Sequence, residues 1–310
     1  MKVLVTGAAG YLGSILVPAL LRAGHRVTAL DNFTYHQTSL LDVCYHENLT
    51  VIRGDVRDRE RMRDWIKDAD FILPLACLTG APACERDPIG ARTTNLEAIV
   101  ALLQLRGKGQ NVIFPTTNSG YGIGQKGIHC DEGTPLNPIS LYGRLKVDAE
   151  KAVLEAGNAA TLRFATVFGI SPRMRLDLLV NDFVYRAFHD RFVVLFEADF
   201  KRNYIHVRDV AGAFLHTMEN FERMRGEPYN VGLSDCNLNK RELCEAIKLQ
   251  IPEFHFLESE VGEDPDKRNY IVSNAKFEAT GFAPQFSLQK GIAELLRGYQ
   301  IVKRDAHGNT

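Results

Sequence analysis

The chain has 310 residues, 45% hydrophobic and 24% charged, with a formal net charge of -1. That length supports one large or two modest domains with ample core, and the near-neutral balance excludes the global basic field that nucleic-acid binding draws on. No run reaches the ~18 unbroken apolar residues of a membrane span, and the six cysteines contain no C-x-x-C pair, which argues against a structural zinc site or a disulfide framework and for reduced, incidental thiols in a cytoplasmic protein.

The apolar opening "MKVLVTGAAGYLG" could begin a signal peptide, but Gly7, Gly10 and Gly13 interrupt it and no small-residue cleavage site follows. It reads better as a first strand, "KVLVTG", turning into a helix, "GSILVPALLRAG". "RVTALD" is a second strand, a short helix is expected over 39–46, and "LTVIRGD" and "ADFILPLA" are the third and fourth strands. A long helix is expected over 86–105, then a fifth strand "NVIFPTT", a helix over 140–156 and a sixth strand "AATLRFATVFG". Strands alternating with helices imply right-handed βαβ units and a parallel sheet. The strands are near-continuous apolar runs, as expected when both faces are covered.

The second half loses this rhythm. Helices are expected over 178–187, 210–222, 240–249 and 288–298, with short strands at "VVLF" and "NYIHV". We expect an α/β fold: a Rossmann-type doubly wound parallel sheet over 1–170, parts of the later chain returning to it, a smaller mixed α/β lobe over 171–300 for the substrate, and a frayed polar tail over 301–310.

The glycines of "VLVTGAAGYLG" follow the first strand directly and open a helix. Glycine lets the backbone turn and lets main-chain N–H groups approach a diphosphate, and the helix N-terminus favours its charge. The spacing is G-x-x-G-x-x-G, and its strand–turn–helix setting makes Gly7, Gly10 and Gly13, with Tyr11 and Leu12 between them, a dinucleotide loop. Asp31 ends the second strand, where a carboxylate accepts from ribose hydroxyls and repels a 2'-phosphate. Asn32 and Phe33 follow it with no arginine, which favours NAD over NADP. Asp55 and Val56 are placed to meet the adenine, and Leu75 and Ala76 to wall the nicotinamide ribose. Asn95 and Thr116 complete the cofactor set.

Tyr142 and Lys146, four residues apart in "SLYGRLKVDAE", share one helix face. Oxidising a sugar hydroxyl requires a base for its proton, and a free phenol, at a pKa of ~10, is a poor one. Bringing it to ~6–7 takes roughly 4–5 kcal/mol. An ammonium ~4 Å away at an effective dielectric of ~20 supplies about 4 kcal/mol. A hydroxyl on the reacting oxygen would complete the arrangement. Thr117 and Tyr121, four residues apart in "TTNSGYGIG", are the candidates to face the cleft at the end of the fifth strand.

The T-G-x-x-G-x-x-G loop, Asp31, Asp55, the threonine-rich fifth strand and Y-x-x-x-K together resemble the extended short-chain dehydrogenase/reductases, and more closely their nucleotide-sugar epimerase/dehydratase branch. The resemblance spans roughly residues 1–300. It implies a cytoplasmic oxidoreductase holding NAD and acting on a nucleotide-diphosphate sugar, and a homodimer packed through the segments near 86–105 and 140–156. That family carries S/T-x-x-V-Y-G after the fifth strand. Here Thr117 takes the catalytic position and Gly120 stands where valine is usual. Its 4,6-dehydratases follow the Ser/Thr with Asp-Glu, whereas Asn118 and Ser119 stand here as substrate contacts, against a dehydratase. The longer stretches "ATVFGISPRMRLDLLVNDFVYRA", "RNYIHVRDV" and "GEDPDKRNYIVSN" are similar to the bacterial GDP-heptose C4 dehydrogenases of capsule-sugar pathways. Two other outcomes stay open: a 4-epimerase that returns the hydride to the other face, and a silent NAD-binding module. By the same resemblance Arg202 and Arg268 meet the nucleotide phosphates or ribose, where a planar guanidinium matches phosphate oxygens. Asn181 frames the nucleotide. Arg173 and Arg175 reach the sugar or phosphates or cap a helix, and Thr79 and Gly80 wall the sugar. His206 is read as a structural histidine.

Overall fold

The computed structural model describes residues 1–125, 127–259 and 267–302; all but the first two residues of the expected tail over 301–310 and part of "GEDPDKRNYIVSN" lie outside them. Strands β1 (Lys2–Thr6), β2 (Arg26–Asp31), β3 (Leu49–Arg53), β4 (Phe71–Pro74), β5 (Asn111–Thr117), β7 (Ala159–Phe164) and β11 (Pro228–Val231) form one seven-stranded sheet in the order β11-β7-β5-β4-β1-β2-β3. Every pairing in it is parallel. Smaller sheets join β8 (Thr166–Phe168), β10 (Lys201–His206) and β12 (Asn237–Asn239), then β9 (Phe192–Leu195) with β13 (His255–Glu258), and β6 (His129–Cys130) with β14 (Ile271–Val272).

Both faces of the large sheet are covered, as its apolar strands require. On one face Leu16, Val17 and Leu20 of helix Gly13–Arg22 pack with Val210 and Phe214 of helix Val207–Glu219. On the other, Met62 and Ile66, Ile99 and Leu102, and Ala149 and Val153 come from helices Arg59–Ile66, Ala98–Leu105 and Leu141–Glu155. A separate core around Phe168, Val184, Tyr204, Leu243, Ile292 and Leu295 underlies the smaller sheets. The strand order reverses between β1 and β4, and a doubly wound sheet opens its ligand crevice at that point, beyond the strand C-termini.

Three expectations change, and two elements appear that were not expected. The sixth strand is two: β7 ends in the large sheet and β8 crosses to pair with β10, so the chain passes from one sheet to another at Ala165. The helix over 86–105 is broken into Ala81–Arg86, Pro88–Arg92, one wide π-type turn Thr93–Glu97 and Ala98–Leu105. The residue before a proline disfavours helical backbone, and Asp87 instead caps the next segment by accepting from Gly90 N at 2.8 Å. Over 39–46 only a single 3-10 turn forms, Leu41–Val43. Helix Arg59–Ile66 and edge strand β11 had no strong pattern to announce them: the helix buries only Met62 and Ile66, and the strand is four residues long.

Candidate active site

A cavity of about 610 Å³ opens at the β1/β4 reversal. Its cofactor-side bank includes Gly7, Gly10, Tyr11, Leu12, Gly13, Asp31, Asn32, Asp55, Val56, Leu75 and Ala76, all expected there. The glycines have different physical reasons. Gly7 has φ +65°, and a Cβ on it would stand 2.7 Å from Ala76 N; one on Gly13 would stand 2.4 Å from Ala8 O. Those two are fixed by the protein's own backbone. A Cβ on Gly10 would meet only Gly7 O, at 3.2 Å, and Gly10 lines the cavity, so the missing side chain leaves room for a ligand. No side chain caps the helix that follows; Ser14 N and Ile15 N donate to Gly10 O and Leu12 O, and the positive end of the helix dipole still favours an anion at the loop.

Asp31 orders the loops around it. It accepts from Ala9 N at 2.9 Å, Phe33 N at 2.8 Å and Gln37 Nε2 at 3.1 Å. A carboxylate offers about four acceptor sites, so capacity remains for a hydroxyl. Asp55 is gripped by Arg57 Nε and Nη2 at 2.9 and 2.6 Å, and these bonds, opposed by burial, hold its carboxyl below the usual range. Arg57, Tyr35 and Gln37 also line this bank and escaped the sequence reading, because a loop arginine, tyrosine or glutamine carries no spacing signal.

The rest of the lining includes Thr79, Gly80, Thr116, Thr117, Ser119, Tyr142, Lys146, Arg175 and Arg268, and Arg173, whose guanidinium lies 4.6 Å from the centroid of the Tyr35 ring across the cleft. Thr117 Oγ1 accepts from Ser119 N at 3.1 Å and donates to Ser119 Oγ at 2.9 Å, and Arg268 Nη1 donates to that same Oγ. Thr117 thereby caps a 3-10 turn, Asn118–Tyr121, which presents Ser119 to the cavity. Gly120 lies within this turn. A Cβ there would lie 3.0 Å from Val147 Cγ2 and 3.2 Å from Leu136 Cδ2, so the valine usual at this position would displace both.

Helix Leu141–Glu155 begins at Ser140, whose hydroxyl accepts from Gly143 N at 3.1 Å, and carries Tyr142 and Lys146 into the cleft. Lys146 is 4% exposed, and its Nζ lies 4.0 Å from the centroid of the Phe114 ring. Burial pushes its ammonium down. Burial likewise pushes the Tyr142 phenol up, and the cations drawing it back most strongly are Arg175 and Arg268. The sequence assigns that work to Lys146; Arg175 and Arg268, from loops distant in sequence, add to the cations around the phenol. Arg175 is held by Asp177 through two bonds, 3.1 and 2.5 Å. Cys77, expected to be incidental, also lines the cavity.

Four expected contacts lie off the cavity wall. Asn95 is buried and brackets Leu78, accepting from its N and donating to its O, both at 2.8 Å; it shapes the 75–80 loop. Asn118 is 1% exposed, and neither of its amide atoms has a partner, because the turn that presents Ser119 directs Asn118 inward. Asn181 accepts from Gly169 N at 2.9 Å and donates to Arg175 O at 2.9 Å and Tyr11 Oη at 3.3 Å. Arg202 is buried with its guanidinium 5.7 Å from the centroid of Tyr270, itself a wall residue. Tyr121 also stays out of the cleft. Its hydroxyl lies 2.7 Å from Asn230 Oδ1 and accepts from Arg163 Nη1 at 3.1 Å. His206, as expected, is engaged within the fold: its Nδ1 accepts from Arg208 N, and its Nε2 lies 2.6 Å from Glu294 Oε2.

A seam joins the two banks. Tyr11 Oη donates to Gly169 O at 2.7 Å, Ser171 Oγ donates to Tyr11 O at 2.7 Å, and the Ser14 and Ser171 hydroxyls lie 2.8 Å apart. Among the described residues no cluster of His, Cys, Asp and Glu could hold a metal, and no helix is long and apolar enough to cross a membrane.

A sequence model of the NAD dependent epimerase/dehydratase family matches residues 3–232. The chain belongs to that family. Its cofactor is NAD, and the cradle at Gly10, the helix N-terminus without a side-chain cap and the remaining capacity of Asp31 fit a dinucleotide. Among its relatives, the low-salt glycan biosynthesis protein Agl12 of Haloferax volcanii is 29% identical, covering 94% of this chain and 96% of its own. A UDP-glucose 4-epimerase of Thermus thermophilus, solved in complex with NAD, superposes with a TM-score of 0.83 at 25% identity, covering 98% of this chain and 100% of its own. A UDP-glucose 4-epimerase of Thermotoga maritima, solved with UDP-glucose, gives 0.85 at 24% identity over 97% and 99%.

Proposed function

We propose that this chain oxidises the C4 hydroxyl of a nucleotide-diphosphate sugar, with GDP-D-glycero-α-D-manno-heptose as the substrate and the 4-keto sugar as the product. The observation that carries the reaction type is the composition of the cavity beyond Thr117. Eliminating water from the sugar would need a further carboxylate acid/base beside Thr117. Asn118 is turned away and Ser119 offers only a hydroxyl. Among the described residues the carboxylates on the cavity wall are Asp31, Asp55 and Asp87; Asp31 ends β2, Asp55 follows β3, and Asp87 acts on Arg57 at that same end.

Bound NAD supplies the hydride acceptor. Tyr142 takes the hydroxyl proton on Oη. Lys146, one helical turn along the same face, favours with its charge the phenolate that must exist beforehand, Arg175 and Arg268 add to it, and Thr117 Oγ1 donates to the sugar oxygen after leaving Ser119 Oγ. Arg173, Arg175 and Arg268 suit the substrate diphosphate, since arginine forks match phosphate oxygens. The heptose itself rests on the long stretches of sequence resemblance. The homodimer through segments 86–105 and 140–156 and the cytoplasmic location belong to the same reading.

A second outcome, 4-epimerisation, uses the same oxidation and then returns the hydride to the other face. The likeness to UDP-glucose 4-epimerases favours it. One assay separates the outcomes: purified protein is incubated with GDP-D-glycero-α-D-manno-heptose, UDP-glucose and UDP-glucuronic acid, and products are read by NMR. A 4-keto GDP-heptose is the expected result, and an inverted C4 identifies an epimerase. Absence of turnover with every nucleotide sugar would leave an NAD-binding module and overturn the reading.

A further inference from the structure

Beneath the reacting pair lies a buried ion pair that the chemistry above does not use. Glu150 follows Lys146 by one helical turn, on the same face. Its Oε1 accepts from Arg163 Nη2 at 2.6 Å and Nε at 3.0 Å, and its Oε2 lies 3.2 Å from Nε. The two side chains are 4% and 6% exposed. Arg163, on β7, extends the network by donating Nη1 to Tyr121 Oη at 3.1 Å and to Glu132 O at 3.3 Å. Asn230 of β11 closes it, with Oδ1 2.7 Å from Tyr121 Oη and its N–H donating to Glu132 Oε1 at 2.7 Å. One guanidinium thus joins the helix that bears Tyr142 and Lys146 to the turn that begins at Thr117 and to two strands of the sheet.

Stability does not account for such a pair. Removing two ions from water is expensive, and apolar residues of similar volume often replace a buried pair at no loss. Lys146 supplies another reason. Its ammonium is buried against Phe114, where a cation needs a nearby anion. The groups that favour its charged form are Cys77, Glu150 and Cys84. Burial pushes both thiols up, Cys84 to about 12, so both are neutral at neutral pH. Glu150 is then the anion among the groups facing Lys146, whose remaining cleft neighbour is the Tyr142 phenol.

We propose that Glu150 is a positioning residue for the Tyr142–Lys146 pair: its bonds to Arg163 lock the helix to the Thr117 turn, and its carboxylate keeps Lys146 charged. This rests on Lys146 acting as proposed above, so the test reads Lys146 itself as well as turnover. The NAD-bound protein, labelled with 13C at lysine Cε, is titrated by NMR, with Lys146→Arg assigning the signal. In Glu150→Gln the Lys146 midpoint is expected to fall by about one pH unit, a typical magnitude for loss of a near charge. The sign follows: with less anion the ammonium gives up its proton at lower pH, so the alkaline limb of kcat/KM moves down by a similar amount. Glu150→Asp, which keeps the charge, is expected to restore both. Should Arg163 left unpaired prevent folding, the double variant Glu150→Gln/Arg163→Met removes the orphan cation, and its midpoint is expected to fall in the same direction. An unchanged midpoint in a folded variant, or failure of both variants to fold, would reduce the pair to a structural brace and overturn the proposal. If no nucleotide sugar turns over, the activity reading fails while the NMR midpoint still decides the role of Glu150.

Discussion

The two banks of the cleft are built on different principles. The cofactor bank is mostly backbone: Gly7 and Gly13 are fixed by contacts with main-chain atoms, and Asp31 spends its carboxylate on two backbone N–H groups and one side chain. The opposite bank, where we propose the sugar binds, is mostly long side chains held by other side chains: Arg175 on Asp177, Arg268 on Ser119, and Ser119 on Thr117. A backbone site is rigid and tolerates few residue types. A side-chain site can be rebuilt for a different sugar without disturbing the sheet.

The largest effect expected from breaking this contrast is on the opposite bank. Tyr142→Phe removes the base and leaves every glycine contact in place. Turnover should fall by ~10³-fold or more, the upper range for loss of a general base, while NAD binding, read by calorimetry, stays within a few fold. Retained turnover would remove the proposed base.

The cofactor bank is sharpened by two alanines. Gly13→Ala drives a Cβ to within 2.4 Å of Ala8 O, an overpacking that costs about 1–3 kcal/mol and should show as a lowered Tm even without cofactor. Gly10→Ala meets only one atom at 3.2 Å and otherwise faces the cavity, so its Tm should hold while NAD affinity drops. Equal Tm losses in both would mean that Gly10 serves the fold alone.

This asymmetry also explains what could be read in the sequence. The glycine loop, Asp31 and the Tyr142–Lys146 spacing were legible because they sit on short contiguous segments where local geometry restricts the residue. The field on Tyr142 was not. Arg175 and Arg268 are 93 residues apart in the sequence, and only the fold brings both to one phenol. Asn95, Asn118, Asn181 and Arg202 were expected at ligands and lie off the cavity wall, because a buried amide or guanidinium looks the same in a sequence whichever side of a wall it faces. The division of "AATLRFATVFG" between two sheets was equally invisible: both halves are apolar and extended, and only the pairing of β8 with β10 separates them.

A smaller effect is expected at Arg175. This cation favours the charged form of Tyr142, so Arg175→Gln should raise the phenol further. The acid limb of the kcat/KM profile then moves to higher pH, by roughly half to one unit for loss of one partly screened charge. Movement to lower pH would show that another group sets that limb.

The smallest effect concerns acid stability, and it separates the banks by charge. The loop bearing Arg173 and Arg175 is anchored near its start by Glu294, which accepts from Ile170 N at 3.2 Å, lies 2.6 Å from His206 Nε2 and accepts from Arg208 Nε at 3.0 Å. Because His206 Nδ1 accepts from Arg208 N, the proton sits on Nε2, which donates to the carboxylate. Burial alone would raise this carboxyl, but the His206 and Arg208 bonds and the Ile170 N–H outweigh it and hold it at about 2. A folded pKa below the unfolded value near ~4.3 gives stability that is present above that value and lost as pH falls towards 2. The amount is about 1–2 kcal/mol after solvent screening. Hydrogen exchange between pH 4.5 and 2 should therefore accelerate at 169–175 before it does at 7–13, where backbone contacts predominate and the carboxylate contact is that of Asp31 with Ala9 N. Glu294→Gln should flatten this difference, and simultaneous loosening of both segments in the parent protein would show that the banks unfold as one unit.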